Sequence, residues 1–168
     1  YALIDPRCSH VMTLANEALC KDTQDEMSML TAFLAIIDTA SGVMTYSTAG
    51  HEPAVLCASS GTIRELEQGE MPLGVMESTV YREHSVQLSP GDSVVVVTDG
   101  ITEARTAGAV LFRKKGVIEY LSNNAPTSPY EIAGGLLATA VAHAGGELQD
   151  DAAVVVMRLA PGQPDRST

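Results

Sequence analysis

The sequence has no tryptophan, and aromatics make up only 4% of its 168 residues, so any core must be mostly aliphatic. Cations are scarce. Ten Lys and Arg stand against 21 Asp and Glu, for a formal net charge of −11 and a pI near 4.6. An acidic surface repels nucleic acid and anionic membranes, so neither is an expected partner. Such charge ordinarily serves solvation; carboxylates clustered for a divalent metal would add to it. Cysteine is sparse as well. Cys8, Cys20 and Cys57 are odd in number and include no C-x-x-C pair. They read as reduced packing residues of a cytoplasmic protein, not as a disulfide frame or a zinc site. No apolar run reaches the roughly 18 residues of a membrane span, and no signal peptide is visible. There is neither a P-loop nor a G-x-S-x-G elbow. The chain starts at Tyr1 rather than Met, which reads as a fragment, a processed product or a trimmed piece.

What is present suits one domain, with 45% hydrophobic residues to fill it. Asp5-Pro6 reads as an N-cap followed by proline at the first helical position, opening a helix to about Lys21. Met29 to Asp38 is apolar enough for a buried strand. Thr39-Ala-Ser-Gly42 turns it back into Val43 to Ser47. Ala54 to Cys57 and Thr62 to Glu65 form a second hairpin, and Tyr81 to Leu88 is a further strand. Pro90-Gly91-Asp92 is a tight turn. Ser93 to Thr98 is a valine run expected to be a central strand covered on both faces. The second half is helical, with Arg113 to Ser122 and then a helix opened by the capping box Ser128-Pro129-Tyr130-Glu131. That helix is stopped by Gly145-Gly146. Ala152 to Leu159 is the last strand, and 161–168 a tail or linker. Hairpins first, helices next and one returning strand make an α+β domain. The methionines read as core filler.

Two acidic sites stand out. Asp99 ends the valine run immediately before Gly100. A carboxylate at the end of a buried strand is costly unless paired or metal-bound, and Gly100 lets the backbone turn beside it. Glu103 follows four residues later and is placed to face the same pocket. Capping of the next segment is an equally good account of Asp99 taken alone. Asp150 and Asp151 precede the last strand, where adjacent side chains point to opposite faces, so one of them is expected to face the site. An acidic turn is the plainer account of that pair alone. Together, two carboxylates at the ends of two core strands suit one hard cation, magnesium or manganese. His51, in a loop, and the turn Met71-Pro72-Leu73-Gly74 read as structural.

Taken in order, the motifs resemble a known family. They are Leu14-Ala-Asn-Glu-Ala-Leu19, Met29-Leu-Thr-Ala-Phe33 with Asp38 and Gly42, Tyr46-Ser-Thr-Ala-Gly-His51, Pro72-Leu-Gly74, Leu88-x-Pro-Gly-Asp92, Thr98-Asp-Gly-Ile-Thr-Glu-Ala104, and Asp150-Asp151 before a valine-rich strand. Seven motifs over Pro6 to Leu159 look like the PPM-type metal-dependent serine/threonine protein phosphatases, in their bacterial sporulation-phosphatase (SpoIIE-like) branch. The resemblance implies an α-β-β-α sandwich of antiparallel sheets with a two-metal Mn²⁺ or Mg²⁺ site at one edge. It implies that Asp99 and Asp150 are metal ligands and that Asp151 is supporting; Gly100 and Glu103, from their places beside Asp99, are expected to support the site as well. It implies hydrolysis of phosphoserine or phosphothreonine on a regulatory protein, such as an anti-sigma-factor antagonist, under an upstream sensor or receiver domain. Residues 1–160 would then be the C-terminal portion of the domain. The family's N-terminal strands and first metal motif, with the Asp that bridges both metals, are missing from this chain. Thr48, Glu52 and Ala153 also depart from the family's common residues. This chain alone is therefore expected to be weakly active or inactive. A non-catalytic regulatory or pseudophosphatase module is the alternative.

Overall fold

A computed structural model describes residues 5–22, 29–124 and 127–160. The expected tail at 161–168 lies outside the described residues. The chain divides into two compact units, Tyr1–His51 with Glu67–Leu88, and Glu52–Leu66 with Ser89–Thr168. Each carries one antiparallel sheet, the first with one described helix and the second with three, so the α+β class is borne out.

In the first unit, helix α1 (Cys8–Asp22) accompanies a sheet of order β1-β2-β5, where β1 is Ala32–Asp38, β2 Val43–Ala49 and β5 His84–Gln87. The β1–β2 register runs from Ala32 opposite Ala49 to Asp38 opposite Val43. Asp38 builds the turn. Its carboxylate accepts from the Ala40 N–H at 3.0 Å and the Ser41 hydroxyl at 2.7 Å, and Gly42 takes φ 76°. Met12, Ala49, Leu73 and Tyr81 form the unit's apolar cluster, with Leu34 and Ala15 against it.

Three expectations change here. The first strand is not buried: it begins at Ala32, and every residue is half-buried or exposed. β1 is an edge of its sheet among the described residues, so its apolar side chains outnumber their cover. The first helix begins at Cys8 rather than Pro6. Asp5 accepts the Arg7 N–H at 3.0 Å and pairs with the Arg7 guanidinium ahead of the first turn, and the Ser9 N–H donates to Glu83 at 3.1 Å. The methionines divide: Met44 and Met12 are core, but Met29, Met71 and Met76 are exposed.

The second unit has a sheet of order β4-β3-β6-β7, with β3 Val55–Cys57, β4 Ile63–Glu65, β6 Ser93–Val97 and β7 Val154–Arg158. Helices α2 (Asp99–Thr102), α3 (Arg113–Asn124) and α4 (Pro129–His143) complete it. Val55, Val95 and Val156 are aligned across three strands and pack with Leu121, Ile132, Leu136 and Ala140 from the helices. A fully buried valine, leucine or isoleucine of this set, such as Val95, Leu121 or Ile132, contributes about 1.5–3 kcal/mol of transfer free energy. β6 is central, as expected, and Val94 and Val95 are each 1% exposed. The α4 capping box is present: Ser128 accepts from the Glu131 N–H, and Glu131 accepts from the Ser128 N–H. Gly135 of α4 makes room for the end of the Tyr120 side chain from α3, because a Cβ there would overlap the Tyr120 hydroxyl. Burial pushes the Cys57 thiol up to about 11, which suits a packing cysteine.

Candidate metal centre

The site is built where β6 ends beside the start of β7. Val97 stands opposite Val154, and past that pair the two chains stay joined by Thr98. Its N–H donates to the Ala153 carbonyl at 3.1 Å, and its hydroxyl accepts from the Ala153 N–H at 2.9 Å. The same hydroxyl lies 3.5 Å from the Asp151 carbonyl oxygen. Thr98 is the N-cap position of α2, yet its side chain makes no capping bond there; its hydroxyl is engaged across the strand ends instead.

Gly100 sets the spacing. It is buried, and a Cβ at this position would overlap the Asp151 carbonyl oxygen and stand 2.9 Å from the Asp151 carbonyl carbon. Only a residue without a side chain lets the Asp99 turn lie this close to the Asp150–Asp151 segment. Sequence reasoning placed Gly100 beside Asp99 for its turn; the structure adds this backbone contact. The role of Thr98 was not anticipated. A Thr directly before Asp-Gly at the end of a core strand is the available signal.

The carboxylates themselves differ from expectation in one respect. Asp99 does not end the buried strand; it opens α2 and is exposed. Water reaches it, so the desolvation argument that singled it out does not apply. Its Oδ1 accepts the adjacent Gly100 N–H at 3.0 Å, and its carbonyl accepts the Glu103 N–H at 2.7 Å. Asp150 Oδ1 accepts the Asp151 N–H at 2.7 Å. Asp150 and Asp151 precede β7 by several residues and both are exposed, so strand alternation does not choose between them. Glu103, also exposed, closes α2 as its C-cap residue. Gly100 and Thr98 thus bring the Asp99 and Asp150–Asp151 segments into backbone contact. The donors are hard carboxylate oxygens, the type that Mg²⁺ and Mn²⁺ prefer. Among the described residues no group of three or more His, Cys, Asp or Glu side chains is gathered for a metal. The residues present fit part of a water-rich divalent site.

The remaining singled-out residues lie in the first unit. Gly50 takes φ 62°, and a Cβ there would overlap the Pro72 ring. The Ala-Gly-His turn and the Pro-Leu-Gly turn therefore form one packed device. The His51 ring stands 6.4 Å from that of Phe33.

The architecture is that of PP2C-type phosphatase domains. The SiaA-PP2C domain of Pseudomonas aeruginosa superposes with a TM-score of 0.80, at 18% identity, over 90% of this chain and 61% of that one. The phosphatase domain of the cell fate determinant SpoIIE from Bacillus subtilis gives 0.70 at 24% identity, over 92% and 66%. The chain belongs to the stage II sporulation protein E (SpoIIE) family, whose model matches residues 1–160. Among curated relatives, phosphoserine phosphatase RsbU of Bacillus subtilis (strain 168) is 29% identical over 138 residues, 80% of this chain and 40% of RsbU. Protein IcfG of Synechocystis sp. (strain PCC 6803) is 27% identical over 142 residues, 84% of this chain. The chain spans only 22% of IcfG's length.

Proposed function

We propose that residues 1–160 are the C-terminal portion of a Mn²⁺- or Mg²⁺-dependent protein-serine/threonine phosphatase domain, with 161–168 a linker. Its substrate is a phosphorylated regulatory protein of the anti-sigma-factor-antagonist kind, and an upstream sensor or receiver domain controls it in the cytoplasm. The observation that carries the reading is the Gly100 contact, which joins the Asp99 and Asp150 segments of a SpoIIE-family chain at adjacent strand ends. Asp99 and Asp150 are the metal ligands. Gly100 and Thr98 fix the separation of the segments that bear them. Asp151 and Glu103 support the site through water. Divalent cations held there would supply Lewis acidity and would lower the pKa of a bound water. RsbU is by name a phosphoserine phosphatase, and the same reaction class is assigned to the protein that carries this domain.

The test is Mn²⁺-dependent release of phosphate from a phosphoserine peptide by that protein. Asp99→Asn and Asp150→Asn are each expected to lower turnover by at least about 100-fold, the scale on which losing a transition-state electrostatic contact acts. Unchanged turnover in both variants contradicts the assignment. A second reading, a non-catalytic regulatory or pseudophosphatase module, is favoured by the absence of a three-ligand group among the described residues. A parent protein that binds the phosphoprotein but releases no phosphate with Mn²⁺ would establish it.

A further inference from the structure

Three of the ten Lys and Arg are consecutive, Arg113-Lys114-Lys115, and all three are exposed at the start of α3. They line a cavity of about 460 Å³ together with Thr102 and Glu103 at the end of α2, and with Glu52. The cavity therefore opens one helical turn from Asp99, the first residue of α2. A second hollow of about 650 Å³ shares Lys114 and Lys115 and continues along α3 past Ile118, Glu119 and Glu65. Lys114 is already neutralised there by Glu65 at 2.8 Å. Arg113 and Lys115 have no ion-pair partner among the described residues.

Arg113 also has φ 57°. The left-handed region is unfavourable for a long side chain, and such strain persists only where surrounding structure or function holds it. The carboxylates of Glu52, Glu103, Glu65 and Glu119 border the two hollows, so Arg113 and Lys115, unpaired among the described residues, are cations framed by negative groups that repel an anion placed elsewhere along the hollows. On a chain of net charge −11, this arrangement gives an acidic partner one attractive point and a fixed register on it.

We propose that Arg113 and Lys115 dock an acidic segment of the protein partner, a stretch of Asp and Glu beside its phosphorylated residue. The identity of the partner rests on the phosphatase reading; the docking itself does not. The experiment is fluorescence anisotropy of the chain with two short fluorescein-labelled, unphosphorylated peptides, in EDTA at low salt. One peptide carries a run of glutamates and the other serines in the same places. The glutamate peptide is expected to bind about tenfold more tightly, and to lose that preference as salt brings the screening length toward about 10 Å. The Arg113→Glu/Lys115→Glu double variant is expected to abolish the preference. Arg113→Gly relieves the left-handed backbone, so it is expected to raise Tm while weakening the preference, which keeps folding and docking apart. Equal binding of the two peptides, no measurable binding, or a preference that survives charge reversal overturns the proposal. Loss of manganese-dependent turnover in Asp99→Asn leaves this result untouched, so the phosphatase reading fails or stands by its own assay.

Discussion

The two units of the chain are held together by different chemistry. The second is an aliphatic core in which Val55, Val95 and Val156 align across three strands beneath α3 and α4. The first is organised around a buried amide. Asn16, 0% exposed, donates through Nδ2 to the Met76 carbonyl at 2.9 Å and accepts through Oδ1 from the Gly74 N–H at 2.9 Å. The Tyr81 hydroxyl lies 3.3 Å from the same Oδ1. One side chain thus ties α1 to the segment containing the Pro-Leu-Gly turn. The first unit also buries the Ser47 and Thr48 hydroxyls without a hydrogen-bond partner among the described residues. The apolar unit tolerates volume-conserving exchange, since packing is a sum of many weak contacts. The amide-centred unit depends on particular donors and acceptors, because an orphaned buried polar group costs its full desolvation.

The contrast can be broken by substitution. Leu136→Ala, at a fully buried position of α4, is expected to cost about 3–5 kcal/mol, the range for a core leucine leaving a cavity. Leu136→Met is expected to cost less than about 1.5 kcal/mol. Denaturant unfolding measures both. Asn16→Leu is expected to cost about 3 kcal/mol despite its similar volume, since it orphans the Gly74 N–H and the Met76 carbonyl. A loss below about 1 kcal/mol would show that water or a backbone shift replaces the amide, and would erase the distinction between the units.

Acid sharpens it further, by a smaller amount. Asp92, 6% exposed, sits in the Pro-Gly-Asp turn of the second unit. Burial raises its carboxyl pKa, but the Ser59 and Ser89 N–H groups, at 2.7 and 2.8 Å, outweigh this and hold it below the ordinary value. A carboxyl depressed in the folded state contributes stability that is present above its unfolded pKa, near about 3.9. That contribution is lost as pH falls through the folded value. Asp92→Asn is therefore expected to cost about 1 kcal/mol at neutral pH and to reduce the loss of stability below about pH 4. Unfolding curves taken through that range check the sign.

The two units were also unequally legible in the sequence. The second was written in local pattern: the valine run, the capping box at Ser128 to Glu131 and the glycines after His143 each act within a few residues, and each formed as expected. The hub at Asn16 joins positions about sixty residues apart, and no periodicity records such a tie. In the metal centre, the identity of Asp99 and Asp150 came from motif order, not from burial. Asp99 is not a carboxylate trapped at a strand end, because the chain turns into α2 at Asp99 and exposes it. Gly100 was legible as a turn, but its contact with the Asp151 carbonyl required the pairing of β6 with β7. Arg113 gave no signal, since left-handed backbone is read from glycine and asparagine, not arginine.

The central claim is that Asp99 and Asp150, whose segments that pairing brings into backbone contact, ligate one divalent cation. Isothermal titration of Mn²⁺ into this chain tests it, alongside Asp99→Asn, Asp150→Asn and Asp151→Asn. The account predicts a binding heat that Asp99→Asn and Asp150→Asn each weaken by at least about tenfold, the effect of losing a charged ligand, with a smaller change in Asp151→Asn. Manganese affinity unchanged in both the Asp99 and Asp150 variants would contradict it.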